Sequence, residues 1–207
     1  MTNDLTLFHT ASVHRATFTE IAARVAPDVQ LTHVVRPDWL ERAQDGIDAT
    51  LSAEIQQLIA QSPNALCSCT TIGEEAALAG ALRIDRPMMD LAASTGGPVL
   101  MAYCLDSTLE PSQSLLTEAF TALDKPARIE PLPLTDLWPL FTSDQTDQFA
   151  QAIAQRVDAA VEQNPNVTCV VLAQASMASA AQYTATDIQV LSSPELALRA
   201  GLGLPLT

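Results

Sequence analysis

The sequence predicts an α/β protein built as two pseudo-symmetric halves, each a parallel sheet with helices on both faces. Three observations lead there. Short apolar runs of strand length alternate with longer amphipathic runs along the whole chain. The order of these elements restarts near Pro98, about halfway along the 207 residues. Gly, Pro or a Ser, Thr or Asp cap punctuates most boundaries, as turns between strands and helices require. Ligands of open parallel sheets bind beyond the carboxyl ends of the strands. The expected site is therefore the cleft between the two halves.

Residues 5–9 read as the first strand and 10–16 as a loop. Thr17 and Glu20 have the spacing of a capping box, which opens a helix ending near Pro27. The second strand is 29–35 and carries His33. Pro37 suits the first turn of a short helix over 38–45, closed by Gly46. Within 50–61, Leu51, Ile55, Leu58 and Ile59 recur at helical spacing. Residues 65–69 are small and apolar, as a buried parallel strand is. Thr71 and Glu74 repeat the capping-box spacing, so a helix is expected from Ile72 to Gly80. A short strand at 82–84 follows, then Asp85 caps a helix that Gly96 ends. The second half begins with a strand at 98–103, a polar loop at 104–108 and a helix at 111–123. A strand at 127–132, helices at 135–141 and 144–163, and a strand at 168–173 continue it. Residues 174–179 read as a turn into a helix, and 188–191 as the last strand. Ser193 and Pro194 cap a final helix that stops at Gly201. The first half is expected to comprise 1–95 with 193–207, and the second 96–192.

Composition narrows the function. Hydrophobic residues make up 48% and charged ones 16%, which fits a packed protein and not a disordered one. The net charge is −14, with ten Lys and Arg and no basic cluster, so no nucleic-acid partner is expected. An acidic shell and the absence of a long apolar run argue against a membrane partner. An anionic substrate must then be held by local donors such as hydroxyls and helix N-termini. Residues 1–4 do not look like a signal peptide, and the four cysteines lack a disulfide-framework spacing, which fits a reducing cytoplasm. Cys67 and Cys69 have no second Cys or His pair at ligand spacing, so no metal site is expected.

The most informative stretch is 64–75, which reads as a strand that ends in a thiol before a helix start. A helix N-terminus stabilises a thiolate, so Cys69 is expected to have a lowered pKa and to react below the ordinary thiol value of about 8.5. The plain alternative is that Cys67 and Cys69 fill core. The strand ends bring further polar groups: His9 and Thr10, Thr70 and Thr71, Cys104 with Asp106 to Thr108, and Gln174, Ala175 and Ser176. His9 can equally bond to backbone, His33 can pack in its strand, and His14 reads as a solvated loop residue. Asp85, Asp106, Ser107 and Thr108 can act as helix caps. Trp39, Trp138 and Phe141 are expected to pack helices onto sheets.

The duplicated plan, the thiol at the third strand end, and Ala173-Gln174-Ala175-Ser176-Met177 at the matching place resemble the Asp/Glu racemase superfamily. That group includes hydantoin racemases, maleate isomerases and arylmalonate decarboxylases. Residues 83–88 and 190–194 also resemble family segments, and the likeness spans nearly the whole chain. The resemblance implies chemistry with no cofactor and no metal. In its racemases two cysteines flank the α-carbon, one taking a proton as thiolate and one returning it. Cys69 matches the first thiol, and Thr70 and Thr71 match the neighbouring donors. Gln174 stands where the second thiol belongs, and an amide does not titrate. The expectation is therefore a single-thiol enzyme acting on a small carboxylate, of isomerase or decarboxylase type. Its substrate contacts would be His9, Thr10, Thr70, Thr71, Thr108, Gln174, Ala175 and Ser176. Two alternatives remain open: a racemase whose second proton carrier is Cys104 or His9, and a carboxylate-binding protein without chemistry. A homodimer is the one assembly considered, as the commonest oligomer.

Overall fold

The structure is a computed structural model and describes residues 4–206. The chain divides into two units. One comprises the chain up to Pro87 together with the segment from Pro194 onward, and the other is Met88–Ser193.

In the first unit β1 (Asp4–His9), β2 (Gln30–Val35), β3 (Ala65–Cys67) and β4 (Leu82–Arg83) form an all-parallel sheet in the order β2-β1-β3-β4. Parallel pairing needs crossovers, which α1 (Val13–Val25), α2 (Pro37–Ala43), α3 (Ala49–Ile59) and α4 (Gly73–Leu78) supply. Phe8 and Cys67 pack with Trp39, Leu51, Ile55, Ile59 and Ile72 in one buried cluster. The apolar stripe of α3 is thus the core face its spacing predicts. Asp48 caps α3 by accepting the Leu51 N–H at 2.7 Å. Glu54 of α3 ties down α2, accepting from the Trp39 indole, Arg36 and Arg42.

The second unit repeats the plan. After α5 (Arg86–Thr95) come β5 (Val99–Tyr103), α6 (Asp106–Ala122) and β6 (Ile129–Pro133). A 3₁₀ turn (Thr135–Leu137), α7 (Trp138–Thr142), α8 (Thr146–Gln163) and β7 (Cys169–Leu172) follow. A 3₁₀ segment (Ala175–Gln182) then leads to β8 (Gln189–Ser192). The sheet is all-parallel, in the order β6-β5-β7-β8. The last helix, α9 (Ser193–Gly201), returns to the first unit, where Gly201 lies against Leu5 and Leu66 and Glu195 pairs with Arg24.

The two sheets match residue for residue at their carboxyl ends. Ser68 N–H donates to Phe8 at 2.9 Å, and Ala173 N–H donates to Ala102 at 3.0 Å. Arg36 N–H donates to His9 at 2.7 Å, and Leu134 N–H donates to Tyr103 at 2.8 Å. His9 therefore corresponds to Tyr103, Thr10 to Cys104, and Cys69 to Gln174.

Several element ends differ from the sequence reading. α1 begins at Val13, not Thr17. The Thr17 and Thr19 hydroxyls donate one turn back, to the Val13 and Arg15 carbonyls, so they are helix-interior residues. β3 ends at Cys67, which leaves Cys69 in the loop beyond it. α6 begins at Asp106, five residues before Pro111, and takes Thr108 into its first turn. The segment after Gln174 is a 3₁₀ helix instead of an α-helix. Among the described residues no helix is long and apolar enough to cross a membrane.

Candidate functional site

The ends of β1 and β3 lie side by side. Continuing their register beyond Phe8 and Cys67 sets Ser68 beside His9 and Cys69 beside Thr10. A hydrogen bond joins the first pair, His9 Nδ1 and Ser68 Oγ, at 2.7 Å. The hydroxyls of Thr10 and Thr71 and the backbone N–H groups of Thr71 and Ile72 are the groups that favour a Cys69 thiolate. α4 starts at Gly73, with Ile72 at its N-cap and no side-chain cap hydrogen bond. Thr70 is buried, and its carbonyl accepts the Gly73 N–H at 3.0 Å, closing the loop around the thiol.

Cys69 is only 8% exposed, and burial pushes its thiol up from the ordinary value. The four donor groups pull the other way and lose. The lowered pKa expected from sequence is thus reversed. Desolvation opposes the charged form more strongly than neutral donors favour it. α4 is also a short helix of six residues that begins four positions after Cys69. Cys67 is wholly buried in the core cluster, and burial pushes its thiol up as well.

His9 is 1% exposed, with both ring nitrogens engaged. Nδ1 lies 2.7 Å from Ser68 Oγ, and Nε2 lies 2.8 Å from His33 Nδ1. Its pKa is lowered to about 3, by burial first and then by the charges of His14, His33 and Arg15. A direct substrate bond from His9 would have to replace one of these contacts. His14, expected in solvent, is instead buried beside His9 with ring centroids 6.3 Å apart, and burial lowers its pKa to about 4. The helix that begins at Val13 turns it inward. Asp85 is wholly buried, and both its carboxylate oxygens accept from Arg83, at 3.0 and 2.9 Å. Its carboxylate serves an ion pair at the position just before α5.

In the second unit Gln174 holds the place of Cys69. Its Oε1 accepts the Cys104 N–H at 2.6 Å and the Leu105 N–H at 3.1 Å. Ala175 and Ser176 are half-buried at the start of the 3₁₀ segment, and Thr108 is buried in α6. Cys104 lies in an apolar cluster with Leu134, Phe149 and Met177. Burial first, and then the Asp136 carboxylate, pushes its thiol up to about 12. Among the described residues no group of three His, Cys, Asp or Glu could hold a metal ion.

Ser68 is the site residue the sequence did not disclose. It is 3% exposed and bonded to His9. A serine between two cysteines matches no motif. The available signal was strand alternation, which sets Ser68 on the opposite face from Cys67.

No family model matches the chain, and no curated protein does. Solved structures do. A Yersinia pestis protein assigned as an Asp/Glu racemase superposes with a TM-score of 0.68 over 97% of both chains, at 11% identity. Glutamate racemase from Francisella tularensis, solved with D-glutamate, gives 0.66 at 12% identity over 96% of this chain and 79% of that one. Allantoin racemase from Klebsiella pneumoniae gives 0.65 at 16% identity, over 99% and 90%. The strand orders, the crossovers and these superpositions agree: the chain shares the α/β fold of these racemases.

Proposed function

We propose that the chain is a cofactor-independent enzyme of the racemase-superfamily type, in which Cys69 alone supplies thiol chemistry to a small carboxylate. The observation that carries this reading is the pairing of Cys69 with its own donor set while Gln174 takes the matching place in the second unit. A raised thiol pKa makes Cys69 a proton donor at neutral pH. Its chemical task is to protonate the carbon of an enediolate. The S–H bond breaks, a C–H bond forms, and the electron pair left on sulfur is held by Thr10, Thr71 and the Ile72 N–H. That enediolate arises either by loss of carbon dioxide from a malonate-like acid or by removal of an α-proton. Support for a carboxylate substrate comes from the Francisella tularensis relative, which was solved with D-glutamate. Thr70 and the half-buried Ala175 and Ser176 are assigned to substrate contact, as is Thr108.

We favour one thiol over two. Gln174 cannot titrate, and the Cys104 thiol is packed among apolar residues. The test is NMR in D2O over a panel of small dicarboxylates, amino acids, hydantoins and malonates, with wild type beside Cys69→Ser. The expected result is deuterium at an α-carbon, with or without loss of carbon dioxide, in wild type only. Equal turnover by Cys69→Ser would overturn the reading.

A further inference from the structure

Gln174 is held by one end of its carboxamide. Oε1 accepts two backbone N–H groups, from Cys104 at 2.6 Å and from Leu105 at 3.1 Å. The opposite orientation would set the amide NH₂ against two donors, so the bonding itself fixes which atom faces the 104–105 backbone. Nε2 is left with two N–H groups and no acceptor among the described residues. The residue is 8% exposed, but Nε2 is not sealed off: among the described residues the sealed side-chain atoms without a partner are Ser112 Oγ and Ser193 Oγ. A buried side chain pinned at one end, with open donors at the other, is a ready position for an acceptor atom. It stands beyond the carboxyl end of β7, where ligands of parallel sheets bind.

The charges of the second unit select the acceptor. Its cations are Lys125, Arg128 and Arg156. Lys125 donates to the Ala93 and Ser94 carbonyls at the end of α5, and Arg128 stands just before β6, where its carbonyl accepts the Val99 N–H. Both therefore lie at the amino ends of the strands. Arg156 is paired with Asp136 at 2.5 Å. On the acidic side, Asp136 follows β6 and Asp106 opens α6 directly after Leu105. The Asp136 carboxylate helps to push up the Cys104 thiol, so its negative field reaches this strand end despite Arg156. A carboxylate bound here would lose water and meet like charge, with no unpaired cation of this unit at that end to offset either cost. An uncharged carbonyl oxygen needs only N–H donors. The hydroxyls of Thr108 and Ser176 can accept as well as donate, which suits the NH₂ of a carboxamide.

We propose that Gln174 Nε2 binds an uncharged carbonyl oxygen of the substrate, so that the substrate is a carboxylate whose other end is a carboxamide and not a second carboxylate. The proposal rests on the reading of this chain as an enzyme that acts on a small carboxylate through Cys69, and it names the far end of that molecule. Gln174 sets specificity and moves no proton. Gln174→Glu isolates its part: one carboxylate oxygen can still accept the Cys104 and Leu105 N–H groups, while the other puts a charged acceptor where the two donors stood.

The test follows the Gln174 side chain itself. In ¹H–¹⁵N spectra of the whole protein, the carboxamide NH₂ signal missing from Gln174→Glu belongs to Gln174, and Gln174→Met gives the same assignment independently. Malonamate, asparagine and glutamine are titrated at pH 7 beside malonate, aspartate and glutamate. At least one monoamide is expected to move the Gln174 signal at a concentration about 10-fold below that of its dicarboxylate counterpart, the worth of about one hydrogen bond. A signal that no monoamide moves, or that the dicarboxylates move first, overturns the proposal whether or not turnover is seen. For the monoamide turned over best, Gln174→Glu is expected to raise KM about 10-fold with kcat little changed. An unchanged KM would overturn the proposal as well. Cys69→Ser is expected to lose turnover and keep the Gln174 response. Turnover by Cys69→Ser with that response kept would remove the thiol reading and leave the carbonyl site. An inactive Cys69→Ser with no Gln174 response in wild type would remove the carbonyl site and leave the thiol reading standing.

Discussion

Cys69 shows two opposing effects at one atom. Four donor groups favour its thiolate, and burial disfavours it more. The raised pKa has a direct consequence in solution. Alkylation of Cys69 by iodoacetamide should be slow at pH 7 and should climb only above the ordinary thiol value of about 8.5. A fast reaction at pH 7, absent from Cys69→Ser, would show that the donors win. Removing one donor by Thr10→Val should cut turnover about 10²-fold, as loss of a single preorganised donor does elsewhere. The buried histidines carry a second consequence. His9 is held at about 3 and His14 at about 4, both below the ordinary 6.5. Above pH 6.5 neither state of the protein protonates them, and their contribution is complete. As pH falls from 6.5 toward 4 the unfolded chain binds these protons and the folded chain does not. Stability should therefore fall by about 1.4 kcal/mol per pH unit for each histidine. Urea midpoints measured between pH 7.5 and 4.5 check this, and His14→Gln should flatten the slope. At this scale the strand-end positions of Cys69 and Gln174 could be read from the sequence, because a strand followed by polar residues is a local pattern. It did not disclose the pKa direction or the inward turn of His14. Both depend on burial, which distant residues create.

Elements were legible in kind and less so at their ends. Leu51, Ile55 and Ile59 repeat every four residues, so the core face of α3 could be read directly. Thr17 and Thr71 misled because a threonine can cap a helix, bond back within one, or serve another group. Here Thr17 bonds back, and α4 starts at Gly73 without a side-chain cap. Asp48 is a true cap, and Asp48→Ala should cost about 1 kcal/mol, read as a lower urea midpoint with an unchanged slope. Asp85→Asn should cost more, about 3 kcal/mol, because it removes the charge of a wholly buried carboxylate that pairs with Arg83. An equal loss in the two variants would show the Arg83 pair to be worth little.

The whole chain is a duplication visible in its strand order and in the carbonyls that receive matching N–H groups. Alternation of short apolar and longer amphipathic runs was enough to predict two parallel sheets, since parallel strands require such crossovers. The matching of Cys69 with Gln174 was also legible, because strand ends fix register. The net charge of −14 adds a molecular-scale expectation. For an anionic substrate, kcat/KM should rise severalfold as ionic strength goes from about 10 to about 150 mM, since salt screens the repulsion that slows encounter. A fall over that range would point to a positive local field at the site. The thiol assignment itself is best put to a cysteine comparison. Turnover of the substrate found in the panel would be measured for Cys67→Ala, Cys69→Ser, Cys104→Ala and Cys169→Ala under one set of conditions. Only Cys69→Ser should lose turnover entirely, the other three keeping measurable rates once folded. Full activity in Cys69→Ser, or a loss in Cys104→Ala as complete as in Cys69→Ser, would contradict a single-thiol enzyme.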